Sequence, residues 1–335
     1  MTAGRMPRTR KPVLAALLAV SALILTAGCA GGRHDTVELR LGHVNSVTDP
    51  WQTSSEEFAR LVHEGSGGTV EVQVFPSAQL GGDRDMVEGM QIGSVDLALV
   101  AGVLSSVEPA MTMLEIPYMF PSQAALNEAL DGPGGQQLSA ALLEKGIRNL
   151  AWLDRGPREL TANRPITDPA ELDGAKIRVP EIPASIDAWR AMGANPTPMA
   201  FSEVYSALQQ GVIDGQENPY AITESANLND VQRYVMETDH VYGYVMLAMS
   251  EDAWERLSPQ QRQVVTEAAQ AVRRTHNART AVDEERYKAT LAQKGMTFVE
   301  VDREAFRQAV QPVHQHYARE FGQELYDMLG TPHAS

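Results

Sequence analysis

The chain has 335 residues, a net charge of −15, an ordinary hydrophobic share of 43%, and one cysteine. Its length points to two domains or one large one. The acidic balance argues against nucleic acid, whose affinity comes from Lys and Arg neutralising phosphates. The lone cysteine excludes internal disulfides, CxxC redox chemistry and cysteine-clustered zinc.

Residues 1–28 carry Arg5, Arg8, Arg10 and Lys11 and no acid, so the chain without them stands at −19. An anion site on such a chain has to be made locally, by a few well-placed cations. The basic segment leads into an apolar run, Val13–Leu25, too short to span a bilayer, which takes about 20 residues. That is the anatomy of a secretory signal. Leu25-Thr26-Ala27-Gly28-Cys29 resembles the lipobox of bacterial lipoproteins, in which the cysteine is acylated and becomes the N-terminus. The expectation is a signal peptide over 1–28, lipidation at Cys29, a tether over 29–35, and a location in the cell envelope outside the cytoplasmic membrane. A plain signal peptide with a chance cysteine is the other reading.

Alternation predicts a strand over Thr36–His43, and helical spacing predicts a helix from Trp51 to Glu64 that stops at Gly65. A strand over Thr69–Phe75, a helix through Met86–Ile92 and a buried strand at Asp96–Val100 complete a βαβαβ pattern, the mark of a parallel sheet. Ligands of such sheets sit beyond the carboxyl ends of the strands. Helices are expected over Pro121–Leu130 and Gly135–Lys145, then a strand over Ile147–Leu153. Strands at Arg158–Asn163 and Lys176–Val179 open what reads as a second sheet. Helices follow at about Ala184–Met192, Ser202–Gln210 and Tyr220–Leu228, then a strand over Val241–Met249.

Ser258-Pro259-Gln260-Gln261 reads as a helix start with a capping box and proline at N1. Nothing interrupts the run before Gly295, and about 36 residues at 1.5 Å each make roughly 54 Å. A helix of that length is expected to cross both lobes of a two-lobed protein; a coiled coil is the alternative. A short strand at Thr297–Val301 and a last helix over Glu304–Leu329 finish the chain.

Enzyme signatures are absent: no HExxH, GxSxG, P-loop or GxGxxG after a strand. His314 and His316 fall on different helix faces and read as a surface pair. No cofactor or metal is expected. What stands out instead is a set of arginines and amides at strand ends. Arg178 closes the strand Lys176–Val179, and Arg158 follows the tight Arg155-Gly156-Pro157. A guanidinium offers a planar fork that matches a carboxylate bidentately. Either arginine could equally serve a surface ion pair. Asn218, in a polar string read as a turn (Asp214–Asn218), offers both donor and acceptor. Phe201 reads as a hydrophobic staple or a pocket wall, and His240 as the end of a linker.

These residues carry a resemblance. Leu160-Thr161, Asn163-Arg164-Pro165, Lys176-Ile177-Arg178-Val179-Pro180, Gly193–Met199, Phe201–Tyr205, Ala207–Gly211 and Asp214–Pro219 resemble the DctP-type solute-binding proteins of TRAP (tripartite ATP-independent periplasmic) transporters. Phe75-Pro76, Gln79–Arg84, and Gly93 with Asp96 agree in the N-terminal half. The resemblance implies an α/β, two-lobed periplasmic-binding-protein-like fold, with a hinge, a ligand cleft between lobes and a long helix spanning both. The expected lobes are 36–155 plus about 244–283, and 156–243 plus about 284–335. It implies that Arg178 binds a ligand carboxylate directly, that Arg158 and Asn218 contact the same ligand, and that Phe201 and His240 line the cleft. Pro157 departs from the aromatic or small polar residue usual before Arg158. The implied function is capture of a small organic acid, a C4-dicarboxylate or a sugar acid or other monocarboxylate, for membrane permease subunits. A sensor subunit for a membrane kinase and an envelope enzyme acting on a carboxylate are the alternatives.

Overall fold

The computed structural model describes residues 36–330, with Met1, Thr2 and Gly4 besides; the rest of the expected signal segment, Cys29 and the expected tether over 29–35 lie outside the described residues. Strands β1 (Val37–Gly42), β2 (Val70–Phe75) and β3 (Leu97–Val100) are parallel, with β1 in the middle, as the βαβαβ pattern predicts. Helix α1 (Pro50–Ser66) starts on Asp49, whose side chain accepts from Trp51 N. It runs past Gly65 and stops where Gly67 takes φ 62°, a left-handed value glycine adopts without strain. Helix α2 (Asp83–Gln91) precedes β3, and α3 (Gln123–Asp131) and α4 (Pro133–Glu144) precede β4.

The two sheets expected from the sequence are one. Strand β4 runs from Ile147 to Ala162 without a break, and β8 from Tyr234 to Ser250; the two pair antiparallel along most of their length. Gly156-Pro157 reads as a turn, but the register merely shifts between Asp154 and Gly156. A bulge absorbs the extra residue, so the strand bends instead of ending. Gly156 sits in it at φ 80°. With β5 (Lys176–Val179), β6 (Asn195–Pro198), β7 (Gly215–Asn218) and β9 (Thr297–Val299), the sheet has nine strands in the order β2-β1-β3-β8-β4-β7-β5-β6, and β9 pairs β8. The segment read as a polar turn is therefore a buried strand, β7, and His240 lies within β8 rather than in a linker.

This is a two-lobed α/β fold, with wings β2-β1-β3 and β7-β5-β6 hung on the two long strands. Helices α5 (Pro183–Ala191), α6 (Val204–Gln209), α7 (Tyr220–Ser225) and α8 (Glu251–Glu255) follow in chain order. A 3-10 turn at Phe201–Glu203 replaces the first turn expected of α6, so Ser202 is no cap. The long helix, α9 (Pro259–Gln293), has the expected capping box between Ser258 and Gln261, and its 35 residues span about 52 Å. Its first half buries Val265, Ala269 and Val272 against Phe58 and Leu247; its last turns bury Tyr287 and Leu291 against Tyr220 and Val235. Between them His276 bonds Ser54 Oγ and Asp154 O, both at 2.7 Å.

The single C-terminal helix expected is three: α10 (Arg303–Ala309), α11 (Gln311–Phe321) and α12 (Gln323–Leu329). Pro312 starts a helix better than it continues one, and Gly322 takes φ 94° at the second break. His314 is buried, 2.7 Å from Tyr326 Oη and 2.8 Å from Pro117 O, so it does not form a surface pair with His316.

Candidate ligand site

The ends of β4, β5 and β7 meet because β7 lies between the other two. This brings Arg158, Arg178 and Asn218 to one small chamber of about 30 Å³, together with Phe201, Arg155, Trp51 and Asp83. Three of these seven carry no site signal in the sequence: Trp51 reads as a helix residue, Asp83 as part of a motif and Arg155 as part of a turn.

Arg178 is 3% exposed. Its Nε and Nη2 donate to Met199 O at 3.1 and 2.7 Å, and the ring of Phe201 lies 5.9 Å from the guanidinium carbon. Among the described residues no carboxylate is bonded to it. Arg158, equally buried, is used differently. Its Nε and Nη2 grip both oxygens of the Glu217 carboxylate, the latter at 2.7 Å, and Nη2 also reaches Glu217 O at 2.7 Å. His240 Nε2 lies 3.0 Å from the same carboxylate, and Nδ1 lies 2.8 Å from Thr238 Oγ1. Both histidine nitrogens are thus engaged by protein groups, and His240 stands behind Glu217 rather than among the residues lining the chamber. Asn218 donates from Nδ2 to Gln216 Oε1 at 2.6 Å and accepts at Oδ1 from Arg155 Nη2 at 3.4 Å.

The charges fall into a used set and an unused set. Burial opposes the ionisation of Glu217, but Arg158 and His240 overcome it and hold the carboxyl down to about 2. Burial draws Arg155 and Arg178 down to about 10, with the other arginines adding to the effect. Burial likewise lifts Asp83 to about 6 in spite of Arg155 and Arg178, and lifts Glu115 in spite of Arg158 and Arg155. Arg155 and Arg178 therefore remain without a bonded carboxylate in a chamber that disfavours bare charge.

Four buried polar atoms on residues lining this chamber have no hydrogen-bond partner among the described residues: Asn45 Nδ2, Arg155 Nε, Arg158 Nη1 and Asp83 Oδ1. Native proteins pair about nine in ten such atoms. Three donors and one acceptor are thus left open on residues lining one chamber.

Residues 41–320 match the family model described as bacterial extracellular solute-binding protein, family 7. The chain is 40% identical over 297 residues to a solute-binding protein of Roseobacter denitrificans, covering 88% of this chain and 90% of that one. The crystal structure of a TRAP periplasmic solute binding protein from R. denitrificans with bound L-galactonate superposes with a TM-score of 0.84 at 38% identity, covering 88% of this chain and 99% of that one. A TRAP periplasmic solute binding protein from a Polaromonas species, bound to D-erythronate, gives a TM-score of 0.86 at 34% identity over 89% of this chain and all of that one.

Proposed function

Because the chain belongs to the family 7 bacterial extracellular solute-binding proteins, we propose that it is the sugar-acid receptor of a TRAP transporter, acting outside the cytoplasmic membrane and passing its ligand to membrane permease subunits. One observation carries this reading: Arg178 and Arg155 lack a bonded carboxylate beside an unpaired carboxylate oxygen of Asp83. Arg178 takes the ligand carboxylate from Nη1, with Arg158 Nη1 and Asn218 orienting it and Phe201 covering it. Glu217 and His240 position Arg158. Asp83 Oδ1 accepts from a ligand hydroxyl, which a plain dicarboxylate cannot supply; a second carboxylate there would meet a like charge. The sugar acids bound by the two solved relatives support that choice.

Capture is hinge closure. Residues 36–155 plus about 244–283 form one lobe, and 156–243 plus about 284–335 the other, with the bulge at Asp154–Gly156 as the bend in β4. Contacts from both lobes, Asp83 on one side and Arg178 on the other, favour the closed state only when ligand is present. A thermal-shift screen of the purified protein tests the reading, because a ligand that binds only the folded state raises the midpoint. Aldonates and uronates are expected to raise it and succinate to leave it unmoved; no shift with any sugar acid removes the proposal.

Asp83→Asn separates binding from folding. A carboxyl raised from 3.8 to about 6 opposes folding wherever it is ionised, fully above pH 6, and is relieved as pH falls through 6. The amide should therefore stabilise the ligand-free protein at pH 7 by roughly 1–2 kcal/mol, allowing for Asp83's partly open edge. It should weaken a sugar acid at least tenfold. Unchanged affinity would take Asp83 out of the site.

The anchor is a separate part of the proposal. Cys29, after the apolar run Val13–Leu25, carries lipid and holds the protein at the membrane. Cys29→Ser should move it from the membrane fraction to the soluble envelope fraction. A wild-type protein already soluble there would refute the anchor.

A further inference from the structure

A second cavity of about 250 Å³ adjoins the clamp chamber of about 30 Å³, and Trp51 and Arg155 line both. One water needs about 10–15 Å³ of such space. The clamp chamber thus has room for two or three waters, enough for a carboxylate and its neighbouring carbon, whereas the second has room for a short hydroxylated chain.

The two sides of the partition differ in how firmly they are held. Trp51 is 4% exposed and fixed in the first turn of α1, where its amide donates to Asp49 at 2.9 Å. Among the described residues Arg155 makes one side-chain hydrogen bond, the 3.4 Å bond to Asn218, lies 5.5 Å from the Trp51 ring centroid, and leaves its Nε unpaired. It also sits in the bulge of β4, where the backbone departs from the ladder. Moving its side chain breaks one long hydrogen bond.

Beyond the partition, the cations of the second cavity are already engaged: Arg279 pairs with Glu57 and Arg286 with Asp283. Glu284 of α9 is not. Its Oε2 is buried without a donor, and burial together with Asp239, Asp283 and Glu285 lifts its carboxyl to about 7. It lies over Gly156, where any added Cβ would come within 2.3 Å of Oε1. The cavity therefore has a movable donor at its inner end and an unsatisfied acceptor farther along.

Resting on the receptor reading above, we propose that this cavity is the subsite for the hydroxylated tail of sugar acids longer than four carbons, with Arg155 as the specificity-determining residue that admits the tail and Glu284 as its terminal acceptor. A tail hydroxyl takes the Nε donor of Arg155, and another donates to Glu284 Oε2.

Calorimetric titration of the full-length protein with a three-, a four- and a six-carbon aldonate, on wild type, Thr280→Phe and Glu284→Leu, tests this. Thr280 lines the second cavity but not the clamp chamber, so a ring there fills the tail space alone. Glu284→Leu removes an unpaired buried carboxyl and is expected to fold at least as well as wild type. Wild type should bind the six-carbon acid at least tenfold more tightly than the three-carbon acid. Each variant should lose most of that increment while holding the three-carbon acid within twofold. Six-carbon affinity unchanged in either folded variant overturns the subsite. Failure of wild type to bind any aldonate overturns the receptor reading itself, and the wild-type titration alone reveals it.

Discussion

Arg178→Ala should bind its sugar acid more than a hundredfold more weakly than wild type and still fold. The affinity term is large because the guanidinium is 3% exposed and has no bonded carboxylate of its own. A ligand carboxylate arriving there forms a desolvated, charge-assisted bond, and truncating one partner of such a buried pair costs about 3–5 kcal/mol. Folding should survive because the protein bonds that are lost are two donations to one carbonyl, Met199 O. Removing Arg178 also takes away a buried cation that burial first, and Arg158 and Arg155 after it, draw down to about 10. Arg178→Lys should not restore binding, since an ammonium cannot present the planar fork. Titration calorimetry beside a thermal melt decides it. Wild-type affinity in a folded Arg178→Ala protein would return Arg178 to a structural role.

Glu217→Ala should do the opposite and unfold the site. Its carboxylate receives two nitrogens of Arg158 and faces His240, all of them almost wholly buried. Without it Arg158 is a buried cation with no counterion, a loss of about 3–5 kcal/mol. At roughly 2–4 °C per kcal/mol for a chain of this class, the melting midpoint should fall by about 10 °C. The pH dependence has a definite sign. The carboxyl is held near 2 in the fold against 4.5 unfolded, so its contribution is complete above pH 4.5 and is lost as pH falls from there toward 2. Wild type and Glu217→Ala should therefore differ most at neutral pH and converge in acid. A midpoint that does not move would mean that the Arg158 charge is compensated by Glu115 instead.

The sequence is legible where one residue type has one use. Alternation found β1 and β2, and Ser258-Pro259 with Gln261 found the start of α9. Strand-end position brought Arg178 to notice, and the family resemblance supplied its role. Other features depend on partners far away in the chain. Gly156-Pro157 has turn chemistry, yet β8 pairs on both sides of it and keeps β4 continuous. Gly215–Asn218 is polar enough for a turn, but β4 pairs with all four of its residues and β5 with Gly215 and Gln216, so it is a strand. His240 and Arg158 look alike in sequence as polar residues near a cleft. Only the shared Glu217 carboxylate shows that they serve one another. Arg155 carries no signal in the sequence because what marks it is an unpaired Nε, and a sequence does not print missing hydrogen bonds.

In the proposed complex one ligand carboxylate, held by Arg178, anchors a hydroxylated chain. Titrating the protein with an aldonate and with the matching alditol isolates that carboxylate, because the two differ only in having a carboxylate or a hydroxymethyl group at one end. The aldonate should bind at least a hundredfold more tightly. Equal binding of the two would contradict the account.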